Sequence, residues 1–110
     1  MTTATRSPDA QLVQEIVQRI VDAVHPLRII MFGSAARGEM GRDSDLDLMV
    51  VMPDGTHRRH TAQFLEGKLM GITAATDIVV VTAADLAKHA NTYGYIFREA
   101  LREGTVLYES

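Results

Sequence analysis

Asp45 and Asp47 stand two residues apart, at the head of the apolar run Leu48-Met49-Val50-Val51-Met52. On a strand that spacing sends both carboxylates out of the same face, while Leu46 and Leu48 leave the other. Carboxylates held side by side repel unless a cation lies between them. A divalent metal is the usual remedy, and Mg²⁺ takes a few carboxylates together with phosphate oxygens rather than a full protein cage. Upstream, Gly33-Ser34 directly follows a second apolar run, Ile29 to Phe32. Such a corner offers backbone N–H groups and a hydroxyl to an anionic phosphate tail. Phosphate on one side and metal on the other is the layout of a nucleotide-handling site. The plain alternative is a turn with solvated aspartates, as Gly/Ser/Asp-rich segments between strands often are.

The elements that must hold these residues can be read from the periodicity. Ser7-Pro8-Asp9 starts a helix, with serine as cap and proline at the first helical position. Leu12, Val13, Ile16, Val17, Ile20, Val21 and Val24 then form an apolar stripe at helical spacing, which His25-Pro26 ends. Leu27 to Phe32 is a short central strand, and Gly33 permits its sharp exit. Residues 45–52 form a second strand, whose continuous apolar stretch suits a sheet covered by helices on both faces. Pro53-Asp54-Gly55 is a turn, followed by a helix from His57 to Met70. Its buried side is expected from Phe64, Leu65, Leu69 and Met70, and Gly71 stops it. Within it, His57-Arg58-Arg59-His60 is the most basic cluster of the chain, either a solvated helix start or a contact for an acidic partner surface. Residues 76–81 form a third strand with Asp77 near its start. Thr82-Ala83-Ala84-Asp85 reads as a capping box with aspartate in place of glutamate. Tyr93, Ile96, Phe97, Ala100 and Leu101 continue a helical pattern, and Val106-Leu107-Tyr108 adds an edge strand. Tyr93 and Tyr95 are candidates for a partner or oligomer surface.

The expected fold class is therefore α/β: a small mixed β-sheet packed with α-helices. At 110 residues the chain is expected to be one domain, 1–110, with residues 1–6 disordered. The formal charge of -3 gives no broad basic surface, so no nucleic-acid partner is expected. There is no cysteine, which excludes disulfides and thiolate metal sites and points toward the cytoplasm. His25, His57, His60 and His89 lack zinc-site spacing. No apolar run approaches membrane-spanning length, and Met1 to Ser7 lacks the core of a signal peptide.

Gly33-Ser34, ten further residues and then Asp45-Leu46-Asp47 resemble the signature of the DNA polymerase beta-like nucleotidyltransferase superfamily. More narrowly, the chain resembles a minimal nucleotidyltransferase (MNT), the antitoxin of prokaryotic HEPN–MNT toxin–antitoxin pairs, along nearly its whole length. The resemblance implies a third carboxylate on a following strand, and Asp77 opens such a strand. It implies ATP as substrate, with the β and γ phosphates against Gly33 and Ser34 and two Mg²⁺ ions held by Asp45, Asp47 and Asp77. Arg37 is expected either to reach the phosphate tail, as a basic residue does in many relatives, or to pair with Glu39. The implied reaction is transfer of AMP to a hydroxyl, and the implied acceptor a tyrosine of a HEPN ribonuclease toxin, within a homo- or hetero-oligomer. Two alternatives stay open: a binding antitoxin or regulatory subunit without catalysis, and the nucleotide-binding subunit of a two-part small-molecule nucleotidyltransferase.

Overall fold

A computed structural model describes residues 10–33, 46–72, 75–89 and 104–110. Helix α1 (Ala10–Val24) closes at His25, which takes a left-handed φ of 49° and still donates its N–H to the Val21 carbonyl at 2.9 Å. The chain then forms β1 (Arg28–Phe32), β2 (Leu46–Met52), α2 (Arg58–Lys68), β3 (Thr76–Thr82), α3 (Ala83–His89) and β4 (Thr105–Glu109). The sheet order is β3-β2-β1-β4. β1 is antiparallel to both β2 and β4, and β2 is parallel to β3. The mixed sheet and the three strands read from the sequence are therefore borne out, and β4 is the edge strand expected at Val106-Leu107-Tyr108. Between Ile29 and Ile30 the β1–β4 register shifts, so that Val106 and Tyr108 face consecutive residues of β1. The extra residue lets both Leu107 and Tyr108 pack toward the same side.

Alternation along β2 divides the core. Leu46, Leu48, Val50 and Met52 point to one face, where Ile16 and Ile20 of α1 and Leu65 and Leu69 at α2 cover them. Met49 and Val51 point to the other, with Ile30, Phe32, Val81 and Leu86. Both long helices thus share one face, and helices lie on both faces of the sheet as expected. Among the described residues only α3, through Leu86, packs on the second face. The buried side of α2 also differs from expectation. Leu65 and Leu69 are buried, but Phe64 is 49% and Met70 76% exposed. Helical geometry turns Phe64 about 100° away from Leu65, and Met70 lies beyond the helix, which ends at Lys68.

Polar contacts tie the elements together. Arg19 of α1 donates to the carbonyls of Lys68 (3.2 Å) and Met70 (3.0 Å) while its other nitrogen bridges Glu15 at 2.7 Å. A cation thereby serves the carbonyl at the end of α2 and one in the turn that follows. The capping box is present in both directions: the Asp85 N–H donates to Thr82 Oγ1 (3.1 Å) and the Thr82 N–H to Asp85 Oδ2 (3.0 Å). Asp54, read from the sequence as part of a turn, accepts from the Ala84 N–H at 2.8 Å and helps to cap α3. The start of α1 at Ser7-Pro8-Asp9 and the pattern from Tyr93 to Leu101, with Tyr95, lie outside the described residues.

Leu48→Ala is expected to lower stability by about 2–5 kcal/mol, because it empties a fully enclosed volume. Phe64→Ala, on the open side of α2, is expected to cost less than half as much in the same urea titration.

Candidate functional site

Within β2 only Asp47 is not fully buried. Leu48 to Met52 are enclosed, whereas Asp47, facing away from α1 and α2, is half-buried. Its neighbours are set by strand pairing: Phe32 of β1 on one side and Asp77 of β3 on the other. Residues in register on adjacent strands share a face, so Asp47 and Asp77 project together from the second face, away from the two long helices. Asp77 is exposed. Sequence reasoning placed each aspartate at a strand entrance, and the parallel β2–β3 register brings the two entrances side by side.

Gly33 completes this end of the sheet. It leaves β1 with a φ of 73°, a conformation L side chains rarely adopt. A Cβ there would run into the Asp47 carboxylate, with the carboxyl carbon only 3.3 Å away. Glycine is thus required twice, by the backbone turn and by the side chain lying over it. This second role was not read from the sequence; its signal is the pairing of Phe32 with Asp47, which places the residue that follows β1 beside that carboxylate.

Of the residues expected to form the site, Gly33, Asp47 and Asp77 are brought together, while Ser34, Arg37 and Asp45 lie outside the described residues. Among the described residues no group of three His, Cys, Asp or Glu side chains gathers around one point. Two adjacent carboxylates, with a glycine making room for one of them, are all-oxygen donors of the kind that hold Mg²⁺, and they suit neither zinc nor copper. The His57–His60 cluster takes no part. It follows the far end of β2, a strand length of roughly 20 Å away. There His57 caps α2 by accepting the His60 N–H on Nδ1 (3.2 Å), the two rings stack at 4.1 Å, and Arg58 bridges Asp85 at 3.1 Å.

A mixed sheet that presents paired carboxylates beside a glycine corner is the frame of a nucleotide-transfer protein, and comparison with known families agrees. Residues 11–103 match the model of the nucleotidyltransferase domain. The chain belongs to that family. No curated protein matches it in sequence. Among solved structures, a Sulfolobus solfataricus protein assigned as a nucleotidyltransferase superposes with a TM-score of 0.62 at 19% identity, covering 90% of this chain and 78% of that one. A toxin–antitoxin structure with AMP-PNP gives 0.60 at 22% identity, covering 88% and 73%. A MntA-HpeT toxin–antitoxin variant, with two aspartates two residues apart changed to glutamate, gives 0.59 at 20%, covering 88% and 73%. These likenesses establish the nucleotidyltransferase fold.

Gly33→Ala is expected to destabilise the protein by about 1–3 kcal/mol through the positive φ and the clash. Asp47→Ala in the same chain should recover part of that loss. A double-mutant cycle by denaturant unfolding measures the coupling, and its favourable sign identifies the carboxylate as the obstructing group.

Proposed function

We propose that the protein transfers AMP from ATP to a protein hydroxyl, a tyrosine of a HEPN ribonuclease toxin, and so acts as an antitoxin in the cytosol. The observation that carries this reading is the in-register pair Asp47 and Asp77 beside Gly33. Membership of the nucleotidyltransferase family supports the reaction class. Fold likeness to toxin–antitoxin proteins, one of them with an ATP analogue, supports the partner and the nucleotide. The relative altered at two aspartates two residues apart supports a role for Asp45 together with Asp47. The whole chain is read as one minimal nucleotidyltransferase domain, and no helix among the described residues is long and apolar enough to cross a membrane.

Each residue then has a task. Gly33 and Ser34 bind the β and γ phosphates through backbone N–H groups and the serine hydroxyl, and Arg37 adds a cation to the tail. Asp45, Asp47 and Asp77 would hold two Mg²⁺ ions. When bound, the metal supplies positive charge against the phosphates and the departing pyrophosphate. Asp77, exposed at the sheet margin, accepts the proton of the attacking hydroxyl. The hydroxyl oxygen bonds to the α-phosphorus, the bond to the pyrophosphate oxygen breaks, and AMP remains on the acceptor. Phe32, buried, lies beside Asp47 on the adjacent strand.

Asp45→Asn, Asp47→Asn and Asp77→Asn should each reduce transfer of labelled AMP to the toxin at least 100-fold without loss of fold, since asparagine keeps the shape and removes the charge. The three effects should not add, because the residues act as a unit. Asp43→Asn and Glu66→Gln are the controls; Asp54 is unsuitable because it caps α3. Mass spectrometry locates the adduct, and full transfer by Asp47→Asn would overturn the mechanism. Calorimetric titration of ATP should show affinity lost in EDTA and restored by Mg²⁺. If the unaltered protein silences the toxin without transferring label, the non-catalytic antitoxin replaces this reading; label on a small molecule instead points to the two-part enzyme.

A further inference from the structure

The sheet face that carries Asp47 and Asp77 has a further opening at the other end of the strands. A cavity of about 500 Å³ lies there between α3 and the start of β1. Cavities of roughly 300–1,000 Å³ are of the size that holds small molecules. Strand register builds it: Arg28 of β1 stands opposite Val51 of β2 on one side and Glu109 of β4 on the other. Alternation puts Arg28 on the face of Ile30 and Phe32, which is the face of the carboxylates. Leu27, Val51 and Leu86 supply apolar walls, while Ala83 and Ala87, one turn apart on α3, leave the space unfilled. The polar side is a pair of opposite charges. Arg28 Nε lies 3.5 Å from Glu109 Oε2, and the two side chains are 38% and 62% exposed. That separation exceeds the roughly 2.7–2.9 Å of a strong charge-assisted bond.

We propose that this cavity binds a small zwitterion, an aliphatic α-amino acid such as leucine. Its carboxylate meets Arg28, its ammonium meets Glu109, and its side chain lies among Leu27, Val51 and Leu86. An α-amino acid carries opposite charges two bonds apart, which matches an acid and a base standing side by side. A simple anion would gain Arg28 but meet Glu109, and a simple cation would gain Glu109 but meet Arg28. A ligand with both charges gives each half of the loose pair a partner of its own. An uncharged apolar molecule would gain from the walls alone. The site is separate from the carboxylates. Arg28 and Phe32 are the two ends of β1, roughly 13 Å apart. Ile30 and Met49, in the row between, are 2% and 0% exposed, so the two openings do not form one groove. The amino acid is a ligand held away from the reacting phosphates, and the inference does not rest on the proposed transfer.

The test is calorimetric titration of the full chain with leucine, with isocaproate, which lacks the ammonium, and with isoamylamine, which lacks the carboxylate. The unaltered protein should bind leucine roughly ten-fold more tightly than either analogue. Arg28→Met should weaken leucine to the level of isoamylamine, so that loss of the carboxylate then costs nothing further. Glu109→Gln should do the same for leucine and isocaproate. A pair that only clamps β4 to β1 would change stability in both variants without this selective loss. Ala87→Leu alters neither strand and should abolish leucine binding with an unchanged unfolding midpoint, so the test holds even where loss of the pair loosens β4. Asp47→Asn should bind leucine as the parent does. Absence of binding of leucine, isoleucine and valine at millimolar concentration overturns the proposal, as does full-affinity binding of leucine by Ala87→Leu. Equal affinity of the unaltered protein for leucine and both analogues overturns it too, because the charge pair then takes no part. So does loss of leucine binding in Asp47→Asn, which would put the ligand at the carboxylates.

Discussion

The structure depends on a carboxylate placed where a buried strand meets water. From Leu48 to Met52, β2 is enclosed on both faces and paired on both edges, so its backbone position and register are fixed by burial. A one-residue slip would bring Asp47 to the side covered by α1 and α2, an uncompensated charge in an apolar layer. The register that keeps Asp47 out of that layer is the same register that places it against Asp77. Repulsion between the two is thus a consequence of core packing, and the strands cannot relax it by sliding. It is met instead by exposure of Asp77, by the space above Gly33 and, in the nucleotide-bound state proposed above, by cations.

Division of labour between the two faces follows. α1 and α2 both lie on one side, where Ile16, Ile20, Leu65 and Leu69 interlock with the even-numbered residues of β2. Arg19 fastens the two helices by serving the carbonyls of Lys68, the last residue of α2, and of Met70 just beyond it. The second face has a smaller apolar cluster around Met49 and Val51, and the carboxylates lie at its margin. At the opposite end of the strands, Asp54, Arg58, Thr82 and Asp85 knit the β2–α2 turn to the start of α3. Polar residues at that end are engaged in holding elements together.

Much of this was legible in the sequence, because the strands announce themselves by composition. The runs from Ile29, Leu46 and Asp77 are too short and too β-branched for helices, and the Asp-x-Asp spacing fixes a shared face without knowledge of the fold. Thr82 and Asp85 likewise carried their capping geometry in their spacing. What stayed hidden depends on contacts between distant residues. Asp54 looks in sequence like any turn aspartate, and the approach of α3 gives it a backbone N–H to satisfy. Phe64 looks like core until the phase of α2 is fixed by Leu65 and Leu69. Arg19 looks like a solvated charge until the end of α2 arrives beside it.

The same logic bears on the basic cluster that the sequence singles out. His57-Arg58-Arg59-His60 is conspicuous in sequence, yet much of it is consumed locally: His57 closes the helix start, His60 stacks on it, and Arg58 is paired with Asp85. Residue type alone ranks that cluster high, but its partners show that folding already uses much of it, whereas Asp47 and Asp77 are brought side by side by strand register at the margin of the second apolar cluster.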